Sequence, residues 1–344
     1  MSKLRFGLIG CGRISKNHFE SIKLIEDAEF VACCDVIEER AKTASETYNI
    51  PNYYLDYHEM MKTEKLDAVS ICTPSGTHPL IGAEVAEYKV NVVTEKPMAI
   101  NITDADNLIK ACDKHGVHLF VVKQNRLNAT MQLLKKAIDK GRFGKIYLVQ
   151  SNVFWQRPQN YYDSAKWRGT WEFDGGAFMN QASHYVDAIY WLIGNVESVM
   201  AETATLERNI EAEDTGVAIL KFRSGVVATI NVTMLTYPKN FEGSITILGE
   251  KGTVKIGGVA INNVEKWEFA EYDDDDKLIT DSNYQPPNIY GFGHIPYYQN
   301  VVDVLAGKAV PKTDGRDGRK SVEIIQAIYK SSRDKVKVSL PLSY

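Results

Sequence analysis

The feature that most constrains this chain lies at its start, where the apolar run Leu4 to Ile9 passes into Gly10-Cys11-Gly12-Arg13-Ile14-Ser15 and then a helical stretch. A second strand, Glu29 to Cys34, follows and ends on Asp35, 20 residues beyond Ser15. Strand, glycine turn, helix, strand and acid, in that order, describe a dinucleotide-binding βαβ unit. Gly10 permits the tight turn. Gly12 lets the backbone approach a pyrophosphate at the helix N-terminus, with Arg13 and Ile14 completing the cofactor turn. Ser15 stands where a third glycine is usual and is small enough for close helix–strand packing. Asp35 can accept hydrogen bonds from ribose hydroxyls and would repel a 2′-phosphate, and neither Val36 nor Ile37 supplies a compensating charge. NAD is therefore favoured over NADP. A sheet binding another adenosine ligand, such as S-adenosylmethionine, would show a similar turn and acid.

The pattern continues along the first part of the chain. Strands are expected near Tyr53 to Leu55, Ala68 to Cys72, Asn91 to Thr94 and His118 to Val122. Helices are expected over Glu38 to Tyr48, Tyr57 to Met61, Pro79 to Glu87 and Thr103 to His115. Short apolar strands alternating with helices imply a parallel sheet covered on both faces. After Asn128 the rhythm changes. A helix (Met131 to Lys140), a long strand (Lys145 to Trp155) and a helix carrying His184 precede a mostly β region from Glu197 to Phe269, and helices over Ile295 to Leu305 and Arg316 to Ser332 close the chain. The fold class is thus a doubly wound α/β Rossmann domain, residues 1–125, followed by an α+β domain with an open, mainly antiparallel sheet, residues 126–344. Ile247 to Thr253 lacks the spacing of a phosphate loop and reads as a hairpin turn, and Asp273 to Asp276 reads as a solvated hairpin tip.

In a doubly wound sheet, ligands bind outside the carboxyl ends of the strands. Thr73-Pro74 with His78, Glu95-Lys96-Pro97, and Gln124-Asn125-Arg126 fall at such ends. A lysine between Glu95 and Pro97, directly after a buried strand, is poised for chemistry rather than for surface charge.

Composition excludes several other classes. Of 344 residues, 44% are hydrophobic and 24% charged, with a formal net charge of −4, so a basic nucleic-acid footprint is missing. No run approaches the roughly 18 apolar residues of a membrane span. The first residues pass directly into a strand without a signal-peptide pattern, and a cytoplasmic location is expected. The five cysteines, Cys11, Cys33, Cys34, Cys72 and Cys112, show no C-x-x-C spacing, so neither a disulfide framework nor a metal site is expected.

The Gly10-x-Gly12 turn, Thr73-Pro74 with His78, Glu95-Lys96-Pro97, and Asn180-x-x-x-His184-x-x-Asp187 resemble the Gfo/Idh/MocA sugar dehydrogenases over nearly the whole chain. The resemblance implies hydride transfer between NAD and a sugar or cyclitol hydroxyl, with Lys96 and His184 as catalytic residues. It implies Thr73, Pro74, His78, Glu95, Lys96 and Gln124 as cofactor contacts beside the glycine turn. Proton transfer from a secondary alcohol suits an imidazole, and an ammonium would stabilise the developing alkoxide. At Asn180 many members carry Asp; an amide can orient imidazole or bind a hydroxyl but adds no charge.

Segments 123–128, 167–171, 176–181 and 237–244 resemble the subgroup that oxidises C3 of UDP-N-acetylglucosaminuronate in bacterial surface-polysaccharide synthesis. That resemblance implies Lys96, Arg126, Arg157, Arg168, Asn180, Gln181, His184, Tyr237 and Lys239 as substrate-binding residues. It also implies 2-oxoglutarate as a hydride acceptor in some members and a homodimer or homotetramer. A UDP-N-acetylglucosamine 3-dehydrogenase, a free cyclitol or sugar dehydrogenase, and an NAD-binding sensor or regulatory subunit remain the alternatives.

Overall fold

A computed structural model of the chain describes residues 3–285 and 291–342. The first part alternates β1 (Leu4–Ile9), α1 (Ser15–Ile22), β2 (Ala28–Cys34), α2 (Glu38–Tyr48), β3 (Asn52–Tyr54), α3 (Tyr57–Thr63), β4 (Ala68–Ile71), α4 (His78–Glu87), β5 (Asn91–Thr94), α5 (Ile102–His115) and β6 (Leu119–Val121). The six strands pair in the order β3-β2-β1-β4-β5-β6, parallel throughout. This is the doubly wound order that reverses direction between β1 and β4, where a ligand crevice opens. The central strands are apolar and buried over most of their length, as a sheet covered on both faces demands. Side-chain caps start two of the helices: Asp56 accepts from the His58 N–H at α3, and Asn101 from the Asp104 N–H at α5. Gly116, at φ +68°, ends α5.

The second part comprises α6 (Ala129–Asp139), β7 (Ile146–Phe154), α7 (Gln159–Asp163), α8 (Gly176–Asn180), α9 (Ser183–Ile193), β8 (Val196–Ala204), β9 (Thr215–Phe222), β10 (Val227–Thr233), β11 (Glu242–Gly249), β12 (Gly252–Gly257), β13 (Asn263–Phe269) and α10 (Ile279–Ser282), then α11 (His294–Leu305), α12 (Gly315–Asp334) and β14 (Val338–Ser339). Eight strands form one sheet, β13-β12-β11-β7-β10-β9-β8-β14, antiparallel except for the β7–β10 pair. Alternation is clearest in β9, where Gly216, Ala218, Leu220 and Phe222 are buried and Val217, Ile219 and Lys221 are exposed. The expected turn between β11 and β12 is the two-residue connection Glu250-Lys251.

The chain divides into two compact units differently from a single cut near residue 125. One unit takes the described residues up to Lys123 together with His294–Arg319; the other takes those of Gln124–Gly293 and Lys320–Tyr344. The return has a polar cause: Tyr298 on α11 hydrogen-bonds Ser70 of β4 at 2.6 Å, and Thr313 donates to the Val121 carbonyl at 2.7 Å. The acidic run is also not a free hairpin tip. Asp273 caps a short 3-10 turn over Asp274–Leu278, and its acids pair with Lys136 (2.6 Å to Asp275), Lys140 (2.7 Å to Asp273) and Arg142 (2.6 Å to Asp276).

Candidate functional site

In the first unit, adjacent strands β1, β4 and β5 present three consecutive loops at their carboxyl ends. Gly10 adopts φ +96°, and a Cβ there would lie 2.8 Å from the Cys72 carbonyl carbon and the Thr73 nitrogen. A Cβ on Gly12 would meet nothing within 4 Å. The first glycine is thus fixed by the neighbouring loop, and the second opens onto a cradle that a phosphate can enter. Ser15 bonds back to the Gly12 carbonyl at 2.7 Å, closing the turn; Arg13 is exposed and Ile14 half-buried. Asp35 is held by two backbone donors, Cys11 N–H to Oδ2 and Ile37 N–H to Oδ1, both 2.9 Å. Val36 beside it is 86% exposed. The turn, the open cradle and the oriented carboxylate fit NAD.

The next two loops are braced from behind. His78 is 1% exposed, and its ring nitrogens face the Pro97 and Thr73 carbonyls, each at 2.8 Å. It therefore joins the Thr73-Pro74 loop to the Glu95-Lys96-Pro97 loop instead of facing a cofactor. Only an imidazolium could donate to both carbonyls, yet burial outweighs those bonds and lowers its pKa. Burial alone would raise the Glu95 carboxyl, but hydrogen bonds from His18 and His294 overcome it and hold the group well below the ordinary range. His18 Nε2 lies 3.0 Å from Glu95 Oε1, and the other Glu95 oxygen accepts the Lys96 N–H at 3.0 Å. The peptide that carries Lys96 is thereby anchored by a buried carboxylate, while the residue itself is half-buried. Donor atoms of His18, Glu95 and His294 lie within 4.8 Å of one another, but both His18 nitrogens are engaged, by Glu95 and by Tyr298.

In the second unit, a 3-10 turn over Gln124–Leu127 is tied to α9 by two rungs one helical turn apart. The Gln124 amide donates to His184 Nε2 at 3.2 Å, and Arg126 grips Asp187 through two bonds of 2.7 Å. Gln124 thus addresses the proposed catalytic imidazole, and its Oε1 is buried without a hydrogen-bond partner. For Arg126 the structure corrects the sequence reading. Its guanidinium is 5% exposed and its Asp187 partner 1%, so the charge is neutralised inside the fold instead of being presented to a substrate.

Arg157, Arg168 and Gln181 gather around Tyr161 on α7. Arg168 donates to the Tyr161 hydroxyl at 2.6 Å and stacks over the Tyr161 and Trp167 rings at 4.3 and 4.6 Å. The Gln181 amide reaches the same hydroxyl at 3.5 Å, and Arg157 lies 5.3 Å from the ring centroid. Two guanidiniums held by one aromatic ring suit an anionic ligand. Tyr237 is 92% exposed and Lys239 also exposed, on a loop tied beside Arg157 through Asn240, whose Oδ1 accepts from Arg157 at 3.2 Å. Asn180 ends α8 and donates its amide to Asp174.

Sequence reading passed over Tyr161, Asp174, His18, His294 and Tyr298. A signal existed for His18, a histidine on the inner face of α1, three residues after the buried Ser15. For Tyr161 it was the aromatic pair Tyr161-Tyr162 between two arginines.

A family model described as "Oxidoreductase family, NAD-binding Rossmann fold" matches residues 4–123, and one described as "Oxidoreductase family, C-terminal alpha/beta domain" matches residues 135–340. The WlbA dehydrogenase of Bordetella pertussis, in complex with NADH and UDP-GlcNAcA, is 56% identical with a TM-score of 0.96, covering 99% of each chain. The WlbA dehydrogenase of Chromobacterium violaceum, with the same two ligands, is 54% identical with a TM-score of 0.95, covering 100% of this chain and 98% of that one. A myo-inositol 2-dehydrogenase of Thermotoga maritima is 27% identical, covering 98% of both chains. Both halves of the chain thus fall under models of one family, in the order in which the two sheets follow one another, and the chain belongs to the Gfo/Idh/MocA oxidoreductase family.

Proposed function

We propose that this chain is an NAD-dependent dehydrogenase that oxidises the C3 hydroxyl of UDP-N-acetylglucosaminuronate to a ketone, in surface-polysaccharide synthesis. The observation that carries the reading is the Arg157–Tyr161–Arg168–Gln181 cluster. It supplies two cations and an amide beside the segment that holds Asn180 and His184. A sugar nucleotide with a diphosphate and a carboxylate needs such cations, whereas a neutral cyclitol does not. Likeness to relatives that hold UDP-GlcNAcA and NADH supports the same substrate class.

Gly10, Gly12, Arg13, Ile14 and Asp35 would hold NAD, with Thr73 and Pro74 beside the nicotinamide. NAD supplies the hydride acceptor when bound. Lys96 and His184 are the residues assigned to the hydroxyl proton. An imidazole is chemically suited to take the hydroxyl proton, and an ammonium stabilises a developing oxyanion. Arg157, Arg168, Asn180 and Gln181 bind the sugar nucleotide, and Tyr237 and Lys239 offer further contacts from their loop.

Self-association as a dimer or tetramer is supported by the uncovered face of the eight-stranded sheet. Met200, Ile219, Thr229 and Gln150 align across β8, β9, β10 and β7, and Met200 and Ile219 are 52% and 50% exposed. Among the described residues no helix is long and apolar enough to cross a membrane, which accords with a cytoplasmic role.

The test is mass spectrometry of products after incubation with NAD, 2-oxoglutarate and either UDP-N-acetylglucosaminuronate or UDP-N-acetylglucosamine. A 3-keto product from the uronate alone is expected, and 2-hydroxyglutarate rising with it would establish recycling of NADH. A ketone from UDP-N-acetylglucosamine alone moves the substrate, and none from either removes the UDP-sugar reading. Lys96→Met is expected to retain NAD binding and lose turnover by about 100-fold or more.

A further inference from the structure

Within the site segment from Arg168 to Gln181, one side chain that takes no part in the chemistry described above bonds to both the start and the end. Asp174 is 1% exposed. Its Oδ2 accepts the Gly169 N–H at 2.6 Å, and its Oδ1 accepts from the Asn180 amide. Gly169, at φ +72°, follows Arg168 directly, and its carbonyl is taken by the Glu211 and Ala212 N–H groups at 3.0 Å each. A single buried carboxylate therefore links the turn that carries Arg168 to the end of α8, where Asn180 sits.

We propose that Asp174 is a positioning residue that fixes the orientation of the Asn180 amide, so that Asn180 presents its oxygen as an acceptor for a substrate hydroxyl. The proposal rests on the functional reading above, in which Asn180 binds substrate. A carboxylate only accepts, so an amide that bonds to it must turn its NH2 toward it and its oxygen away. With that orientation locked, Asn180 offers the same acceptor that an aspartate would offer at this position, without the charge.

Proton counting makes the idea testable. In Asp174→Asn the new oxygen keeps the Gly169 N–H bond and the new NH2 faces Asn180. Two amide donors cannot pair, so Asn180 must reverse and present NH2 where its oxygen was. Adding Asn180→Asp to that background gives the new amide a carboxylate to donate to and restores an outward acceptor. Asn180→Asp alone sets two carboxylates against each other.

The experiment compares wild type, D174N, N180D and the D174N/N180D double variant. It reads steady-state kinetics with UDP-N-acetylglucosaminuronate and NAD, together with thermal unfolding. The expected result is a kcat/KM for the sugar nucleotide lower by about 10- to 100-fold in D174N, with the KM for NAD unchanged. The double variant is expected to return to within about 3-fold of wild type, and N180D to lose activity as pH rises. Unchanged kinetics in D174N, or equal impairment of D174N and the double variant, overturns the proposal. If D174N does not fold, the comparison passes to the other two variants, and an N180D enzyme as active as the double variant at every pH overturns it. A wild-type protein that makes no ketone removes the functional reading and this role together, whereas wild-type turnover with an indifferent D174N removes this role alone.

Discussion

Replacing Arg126 with methionine separates two jobs that a cation in this position can do. If the guanidinium served the substrate, its loss would weaken binding and leave the fold intact. The structure places it instead in a bidentate pair with Asp187, both bonds 2.7 Å, with side-chain exposures of 5% and 1%. Methionine keeps most of the stem and its packing but leaves the Asp187 carboxylate buried opposite an apolar group. Breaking a buried pair in this way costs about 3–5 kcal/mol, because the remaining charge has lost both its partner and its water. A unit of this size loses roughly 2–4 °C of melting temperature per kcal/mol, so the shift expected is roughly 6–20 °C.

The assay is thermal unfolding by circular dichroism beside steady-state kinetics on the same preparations. Arg126→Met is expected to melt well below wild type while the KM for the sugar nucleotide, measured below the transition, changes by less than about 3-fold. The double variant Arg126→Met/Asp187→Leu removes both charges and is expected to recover most of the lost stability, since an apolar replacement of a buried pair is often neutral or better. An unchanged melting temperature together with a KM raised tenfold or more would refute the reasoning. It would mean that the arginine faces the ligand and that the pair contributes nothing to the fold.

Four further outcomes test other parts of the structure. Gly10→Ala drives a methyl group to 2.8 Å from backbone atoms of Cys72 and Thr73 at a left-handed φ, and should cost about 2 kcal/mol or more of stability. Gly12→Ala meets nothing within 4 Å and should leave stability unchanged while NADH affinity, read by fluorescence titration, falls. Burial raises Glu213 to about 8, outweighing the hydrogen bonds from the Phe178 N–H and the Tyr329 hydroxyl, which lower it. The folded state then holds a proton that the unfolded chain has lost, so stability should decline as pH rises from about 5 to about 8 and level off above. Glu213→Gln should flatten that slope in a melting-temperature profile; an unaltered slope would exclude the protonated form. Ile219→Asp with Met200→Asp should lower the mass found by light scattering if the open sheet face joins copies of the chain.

The parallel half of the fold was legible because its signals are local. Each βα step announces itself within about a dozen residues through an apolar run, a turn and a cap, and the Gly10–Asp35 unit carries its own stereochemical reason for every residue type. The reading weakened wherever a side chain's partner lies far along the chain. Tyr298 meets His18 across 280 residues and Ser70 across 228, so nothing near α11 says that it returns to the first sheet. The acids of Asp273 to Asp276 look solvated in isolation, and their partners Lys136 and Arg142 stand 139 and 134 residues away.

The misread arginine shows what a sequence can still yield in such cases. Arg126 was assigned by its charge and by the segment around it, although its partner was visible from the other side. Asp187 lies on α9 among residues that are apolar on most faces, and Ser183 to Ile189 are all buried. An acid on a helix face with no water beside it must be matched by a cation or by N–H donors, or be protonated, because leaving it ionised and alone costs more than the helix gains by packing. The question to ask of such a residue is which cation elsewhere in the chain it recruits. Asked of Asp187, it leads to the arginines outside the surface runs and so to Arg126; asked of Glu95, it leads to a buried histidine. Glu213 gives the other answer. Among the described residues its bonds come from a tyrosine hydroxyl and a backbone N–H, and no cation meets it, which is why it holds a proton instead of a charge. Asp187, Glu95 and Glu213 thus sort by their partners, the first two matched to a cation or a histidine and the third neutral.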